Sequence, residues 1–385
     1  MCGVAFASYV VNAMDRQLFP LLASDVRREY GFSLASIGLL STIFTLGMAL
    51  AGLPTGLLLA RFSRKAVLQA GIAIFSAGTA LTAVSSGFFD MLFYRAATGI
   101  GEAMQLTVLV AIAANYFARN RALALGALNI SFAIGAALGP ILGGALLGRF
   151  ESWRLPMLVF ASLGVIAIGL IRVVLRPWFS EGSSPSQERS DSGGASSLWN
   201  RNTILLTFMS VAGGLVIYGY LGMYPTFLRE GLRYSPSAAG TVMGGFGLGA
   251  LASLGGGWIG DRFSPRIVLG AAFACAAGIG YLLFVGPPAF WSQLLLSFAW
   301  ASVTSGTIFV NLAGYHVRAV RRALFDRAAG IFVTSLYGSA VGAGYSMGWI
   351  VSHRGWIVAG RTQLSVLSLV AGGLALALRP DKMTW

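Results

Sequence analysis

Charge is scarce in this chain. Only 10% of its 385 residues are Asp, Glu, Lys or Arg, while 56% are hydrophobic and the mean hydropathy is +0.75. A soluble domain carries about 25% charged residues. So few charges cannot cover a soluble surface, which leaves a polytopic membrane protein. Lysine is nearly absent: Lys65 and Lys382 stand alone among the basic residues, an Arg bias expected of a GC-rich bacterial genome. Cysteine is limited to Cys2 and Cys275, both in apolar runs, which excludes a disulfide framework and a cysteine metal cluster. No basic segment precedes the first apolar run, so it reads as a retained span rather than a secretory signal. No nucleophile–base arrangement or metal-ligand spacing stands out, so no enzyme, metal or cofactor is expected. Gly99-x-Gly101 is no nucleotide loop, because no strand precedes it and no Lys follows. The net charge of +14 would suggest nucleic acid in a soluble protein. Here it has its source in loops, and no nucleic-acid partner is expected.

What is present is a series of apolar runs. A span needs roughly 20 apolar residues, and twelve such runs are predicted: about 1–24, 33–60, 66–86, 89–112, 121–148, 155–176, 202–229, 236–261, 265–285, 289–312, 325–351 and 355–379. The stretch 177–201, rich in Ser and Gly, reads as a linker. It separates a first half, 1–176, from a second, 202–385. With the N-terminus inside, the inner loops and tail hold Arg61, Arg64, Lys65, Arg119, Arg121, Arg172, Arg176, Arg189, Arg201, Arg262, Arg266, Arg318, Arg321, Arg322, Arg327, Arg379 and Lys382. The outer side holds Arg27, Arg28, Arg149, Arg154, Arg229, Arg233, Arg354 and Arg361. Positive residues favour the cytoplasmic side, so both termini are expected in the cytoplasm, in a bacterial inner membrane. His316 and His353 fall at span ends and are expected to be solvated.

Ionisable residues inside spans are expensive and mark pathways. Of the 13 acids only Asp15 and Glu102 lie deep in spans, and of the 27 basic residues only Arg16 and Arg95. Asn12, Asp15, Arg16 and Phe19 share one face of span 1 by spacing; Arg95, Thr98, Glu102 and Gln105 share one face of span 4. Burial raises a carboxyl pKa and a nearby Arg lowers it, so these acids are candidate proton sites. Span 10 carries a neutral stripe of Trp300, Thr304, Thr307 and Asn311, and span 7 offers Tyr218 and Tyr224 as cargo contacts or interface aromatics. The glycines Gly135, Gly139, Gly143 and Gly144 have small-xxx-small packing spacing, and Pro140 permits a bend.

The halves resemble each other. Gly56 to Lys65 closes span 2, and Gly257-Trp-Ile-Gly-Asp261-Arg262-Phe-Ser-Pro-Arg266 closes span 8, 201 positions later. Internal repeats with a site between them are a common transporter plan. These motifs, with Arg95-x-x-x-Gly99-x-Gly101 and Gly135-x-x-x-Gly139-Pro140-x-x-Gly143-Gly144, resemble the major facilitator superfamily. That implies an all-α fold of twelve transmembrane helices in two pseudo-symmetric six-helix halves, with spans 1, 4, 7 and 10 around a central cavity. It also implies gating roles for Gly56, Arg61, Gly257, Asp261, Arg262 and Arg121. Ala60 stands where an Asp is usual, which puts the first half's latch in doubt.

Asp15-Arg16, with Arg95-x-x-x-Gly-x-Gly-Glu102-Ala, is similar to the anion:cation symporters, organic-anion carriers that include sialin. It is similar also to the Spinster lipid transporters. Both resemblances imply Asp15 and Glu102 as proton sites. They imply Arg16 and Arg95 as anion contacts or switching partners, with Asn12, Gln105, Tyr218, Tyr224, Thr304 and Thr307 around the cargo. The expected function is transport of a small organic anion driven by a proton gradient, by rocking alternating access. A lysolipid-like amphiphile is the alternative cargo. The Gly-Pro-Gly-Gly pattern of span 5 keeps a drug or metabolite antiporter open as well. A monomer in contact with membrane lipids is expected.

Overall fold

A computed structural model describes residues 1–117, 121–181 and 194–383, apart from the side chains of Leu53, Arg121 and Ala122. The described residues form twelve helical passes: α1 (Cys2–Tyr30), α2 (34–61), α3 (Arg64–Ala83), α4 (Phe88–Tyr116), α5 (Arg121–Phe150) and α6 (Arg154–Val174), then α7 (Arg201–Gly231), α8 (Pro236–Arg262), α9 (Pro265–Val285), α10 (Phe290–Arg318), α11 (325–354) and α12 (356–376). Among the described residues ten stretches are long and apolar enough to cross a membrane. One of these, Arg322–Leu376, contains both α11 and α12. The helix α1 is not among them, in keeping with Asn12, Asp15, Arg16 and Gln17 inside it. An even number of passes puts the start of α1 and the end of α12 on one side, the terminal face; the opposite side is the far face.

Local chemistry sets the boundaries. Helix α1 ends on Gly31, whose φ of 70° suits a residue without Cβ. The repeated motif gives repeated geometry: Phe62 and Phe263 are both extended after α2 and α8, and Ser63 accepts from Ala66 N to start α3. The passage from α11 to α12 turns at Gly355, φ 80°. Helix α2 breaks at Ile43, and α10 contains a π-helical turn, Thr304–Phe309.

Helix α5 packs along α1 and α8, and α11 packs on α2 and α7. These crossings are close because the residues are small. A Cβ on Gly38 would lie 2.1 Å from the Gly344 carbonyl oxygen, and one on Gly139 would lie 2.7 Å from Met14 Cα. On the far face two ion pairs join the first six passes to the last six. Arg27 Nη1 lies 2.9 Å from Glu230 Oε2, and Arg229 Nη2 lies 3.2 Å from Asp25 Oδ2. The far side is thus closed by both packing and charge.

Candidate functional site

Helices α1 and α4 meet through a continuous polar network. Arg16 Nε donates to Glu102 Oε2 at 3.1 Å, and Arg16 Nη2 donates to Asn12 Oδ1 at 3.1 Å. Asn12 Nδ2 donates to Gln105 Oε1 at 2.9 Å and to the Glu102 carbonyl at 3.3 Å. Gln105 Nε2 donates to Ser8 Oγ at 3.0 Å. The helical spacing that puts Asn12 and Arg16 on one face, and Glu102 and Gln105 on another, makes this ladder. Arg16 and Glu102 are 5% and 0% exposed, so the pair is held where charge separation is expensive.

Asp15 faces elsewhere. It accepts at both carboxylate oxygens, 2.8 Å each, from Thr79 Oγ1 of α3. Adjacent residues on a helix point about 100° apart, so Asp15 and Arg16 cannot serve the same neighbour. The side-by-side pair suggested by the sequence is therefore divided: Arg16 goes to α4 and Asp15 to α3. Arg95 is fully buried, with its guanidinium carbon 4.8 Å from the Phe19 ring centroid and 5.6 Å from that of Phe44. Among the described residues no group accepts a hydrogen bond from its three nitrogens, and Glu102 Oε1 has no donor.

Between the halves lies a cavity of about 310 Å³ in the terminal-side part of the bundle. Its wall is largely aromatic and apolar, with Tyr9, Phe132, Tyr218, Phe246, Phe309 and Tyr337 prominent. Among the described lining residues Arg16 is the one charged group. Across the cavity Tyr218 and Tyr337 form an edge-on pair with centroids 5.8 Å apart. The arrangement offers one cation, backed by a carboxylate, to the polar end of an otherwise apolar occupant.

The profile of the Major Facilitator Superfamily matches residues 5–345. The chain belongs to the Major Facilitator Superfamily. Its members are membrane transporters, not enzymes, and the twelve-pass helical fold is theirs. This facilitator is 26% identical to protein spinster of Drosophila melanogaster over 334 residues, 78% of this chain and 54% of that one, so it spans about half of that relative's length. It is 27% identical to a probable sugar efflux transporter of Helicobacter pylori (strain G27), over 97% of this chain and 91% of that one. A triacylglyceride transporter of Mycolicibacterium smegmatis is 29% identical over 69% of this chain and 47% of its own. Among solved structures, a bacterial homologue of the human lysosomal transporter Spinster, in an inward-facing and occupied conformation, superposes with a TM-score of 0.76 at 19% identity. That match covers 98% of this chain and 95% of the other. A D-xylose–proton symporter superposes with a TM-score of 0.78 at 13% identity, covering 97% and 96% of the two chains.

The other residues singled out in the facilitator's sequence are scattered. Tyr218 lines the cavity, but Tyr224 is buried inside the second half, bonded to Gln293 and stacked on Tyr220 with centroids 4.6 Å apart. Thr304 is buried and donates to the Trp300 carbonyl at 2.7 Å, and Thr307 donates to Ser302 O at 3.3 Å. Both bonds lie within α10 itself, so these hydroxyls serve their own helix. Asn12 and Gln105 stand behind Arg16 rather than on the wall. At the terminal face Asp261 pairs with Arg318 at the end of α10, and Arg262 lies over the Trp258 ring at 4.6 Å. Gly56 and Arg61 are exposed, Gly257 faces Val310 Cγ1, and the Arg121 side chain lies outside the described residues. His316 corrects the expectation of a solvated residue. It is fully buried, its Nδ1 donates to the Leu312 carbonyl at 2.8 Å, and its ring lies on Phe332. The helix continues beyond it to Arg318, and α11 covers it. His353 is exposed as expected.

Sequence reasoning missed Thr79, Phe44, Asn129 and Phe132. Thr79 carries no charge and repeats no motif, so only the packing of α3 on α1 reveals its bond to Asp15. The cavity aromatics were one apolar residue among many in their spans.

Proposed function

We propose that this facilitator moves an amphiphile with one acidic headgroup, in symport with protons. The observation that carries this reading is the cavity wall: aromatic and apolar, with Arg16 as its one charged group among the described residues. An apolar body is stabilised by covering that wall, at about 25 cal/mol per Å² of apolar surface removed from water. A small hydrophilic organic anion would satisfy Arg16 and leave the wall uncovered. The relative named as a triacylglyceride transporter accords with an apolar cargo.

Glu102 is the proposed switch. While ionised it holds Arg16. Once protonated it holds Arg16 less strongly, and the guanidinium turns to the acidic head. Proton and cargo then favour the same loaded state, which is what coupling requires. Asp15, held by Thr79, is the second proposed proton site. Rocking of the two halves about the cavity completes the cycle, without a cofactor. The Lys and Arg bias supports cytoplasmic termini in a bacterial inner membrane, and a monomer suffices.

In proteoliposomes, an inward-directed proton gradient should drive accumulation of a single-chain anionic amphiphile. Arg16→Ala should weaken its binding by about 1.5–3 kcal/mol, the worth of hydrogen bonds to a charged group, or roughly ten- to 150-fold. Asp15→Asn and Glu102→Gln should abolish accumulation while leaving exchange intact. Proton-driven accumulation unchanged in both variants would sink the mechanism. The polar positions Asn129, Ser253 and Ser305 on the same wall favour a neutral, hydroxyl-rich cargo as the second reading, in line with the sugar efflux relatives. Binding that survives Arg16→Ala and is competed by sugars would select it.

A further inference from the structure

Gln17 has no place in the polar network of α1 and α4. It follows Arg16 on α1, is 4% exposed and lines the central cavity. Among the described residues no group bonds its side-chain amide. The other described glutamines are all engaged. Gln69 donates to Ile168 O at 3.2 Å, Gln105 to Ser8 Oγ at 3.0 Å and Gln293 to Pro287 O at 3.1 Å. Gln363 donates to Leu215 O at 3.0 Å and to Ala343 O at 2.7 Å. Buried polar groups ordinarily have partners, and leaving one without is costly. The partner of Gln17 must therefore come from what fills the cavity.

The position of Gln17 says which part of the cargo it meets. The lining runs from Tyr9 to Gln17 on α1, from Ile217 to Leu221 on α7 and from Phe246 to Ser253 on α8. Helices α1 and α7 run away from the terminal face and α8 runs back, so Gln17, Leu221 and Phe246 mark the cavity's far end. Leu21, one turn beyond Gln17, is packed into the second half's apolar core. Of the neutral polar residues on the wall, Ser253 lies roughly 10 Å nearer the terminal face than Phe246, at 1.5 Å per residue. Ser305 stands near its level, where Gly256 of α8 crosses Gly306 of α10. Gln17 is thus the polar partner of Arg16 at the far end. Adjacent residues on a helix point about 100° apart, so the two side chains meet two different groups of an occupant. Arg16 offers donors alone, whereas the Gln17 amide offers a donor and an acceptor. A bare anionic head has no proton to give that acceptor; a hydroxyl has both functions.

We propose that Gln17 is a specificity-determining residue, selecting cargo whose acidic head carries a hydroxyl-bearing arm opposite its apolar tail. The acid meets Arg16, the hydroxyl meets Gln17, and the tail covers the aromatic wall toward the terminal side. The inference rests on the amphiphile reading above and adds the chemistry of the head.

The test uses the full chain in nanodiscs of neutral phospholipid, with two phosphodiesters as probes: dodecyl 2-hydroxyethyl phosphate and dodecyl propyl phosphate. They share charge, tail and size, and differ by a hydroxyl in place of a methyl group. The unaltered protein should bind the hydroxyethyl ester about tenfold more tightly, because the propyl ester leaves the buried amide unpaired. Gln17→Met keeps the length and removes the amide, and should bring the two affinities within twofold, chiefly by weakening the hydroxyethyl ester. Gln17→Leu serves as the second variant should Gln17→Met fail to fold, as judged by circular dichroism and size exclusion. Arg16→Ala should weaken both probes alike. Without a probe, Gln17→Met should melt no lower than the unaltered protein, whereas Gln363→Met, which loses bonds to α7 and α11, should melt lower. A lower melting point for the Gln17 variants with the tenfold preference kept would make Gln17 a packing residue. If the unaltered protein binds both probes equally, or the preference survives in the folded Gln17 variants, the role of Gln17 is wrong; the amphiphile reading then stands if Arg16→Ala weakens both probes. If neither probe binds the unaltered protein, both fall.

Discussion

The far-face ion pairs should set the balance between the two access states. Asp25 and Arg229 lie on opposite halves and are 17% and 11% exposed; Arg27 and Glu230 are 35% and 25% exposed. Exposed pairs contribute roughly 0.2–1 kcal/mol, and removing one partner of a buried pair costs roughly 3–5 kcal/mol. The better buried Asp25–Arg229 pair falls between, at about 2 kcal/mol. That energy exists only while the far side is closed. Its loss should shift the equilibrium toward the far-side-open state about thirtyfold. Arg28 lies 3.5 Å from Asp25 and would still engage it after Arg229 is removed. Arg229 also reaches the Tyr234 carbonyl within its own half. The coupling is therefore measured by a double-mutant cycle of Asp25→Asn and Arg229→Gln, which isolates the pair from these neighbours. Spin labels at Phe89→Cys and Trp291→Cys, 81% and 70% exposed at the far ends of α4 and α10, report the opening by pulsed dipolar spectroscopy. Cys2 and Cys275 are replaced by Ser in that background. The single variants should add a longer-distance population. The double variant should resemble the singles, since the second removal has little left to break. Added salt should mimic Arg27→Gln more than Arg229→Gln, because screening acts mainly on exposed charge. An unchanged distance distribution in all three variants would refute the latch.

Two further outcomes follow from the buried charges. Thr79→Val takes from Asp15 the hydroxyl that bonds both its oxygens and should destabilise the protein by about 1–3 kcal/mol, the penalty of an unsatisfied buried acceptor; thermal unfolding should show a clearly smaller loss in an Asp15→Asn background, and equal losses would mean that Thr79 acts by packing alone. Arg95→Met replaces a buried guanidinium that has no hydrogen-bond acceptor among the described residues; thermal stability should hold or rise by about 1 kcal/mol, as when a poorly compensated buried charge becomes apolar, while proton-driven uptake falls at least tenfold. Reduced stability with normal uptake would make Arg95 a packing residue.

The passes were legible because a membrane imposes length and polarity on every span. The polar faces of α1 and α4 were legible because period 3.6 collects Asn12 with Arg16 and places Glu102 near Gln105. Partner choice was not legible. Asp15 and Arg16 are neighbours in sequence, yet the helix turns them toward different helices, and only packing decides that α3 receives one and α4 the other. Thr79 gave no sign because a lone Thr in a span ordinarily bonds its own backbone, as Thr304 does. Tyr224 looked like Tyr218 in the sequence, but lies almost two turns nearer the far face, where the second half is packed solid.

The placement of charge bears on how coupling can work. Every bond in the Arg16 network stays within α1 and α4, so a proton can arrive or leave without breaking a contact between the halves. The inter-half ion pairs sit at the far end of α1, about 15 Å along the helix from Arg16 at 1.5 Å per residue. A change at Glu102 therefore has no direct hold on them. What faces Arg16 across the cavity is the second half's aromatic surface, Tyr218 and Tyr337 among it, with no charge to answer a freed guanidinium. In the proposed mechanism an occupant with an acidic end for Arg16 and an apolar body for those rings would supply the missing link, because it alone would touch both halves and depend on the proton. Under this arrangement a proton without cargo leaves the latch as it was, which limits leak. A headless alkane of the same length should accordingly occupy the aromatic wall without making access respond to pH, and the labelled protein should show that directly: pH-dependent far-side opening with an alkyl phosphate and none with the alkane. Opening that responds to pH in the absence of any cargo would place the coupling inside the protein itself and overturn the argument.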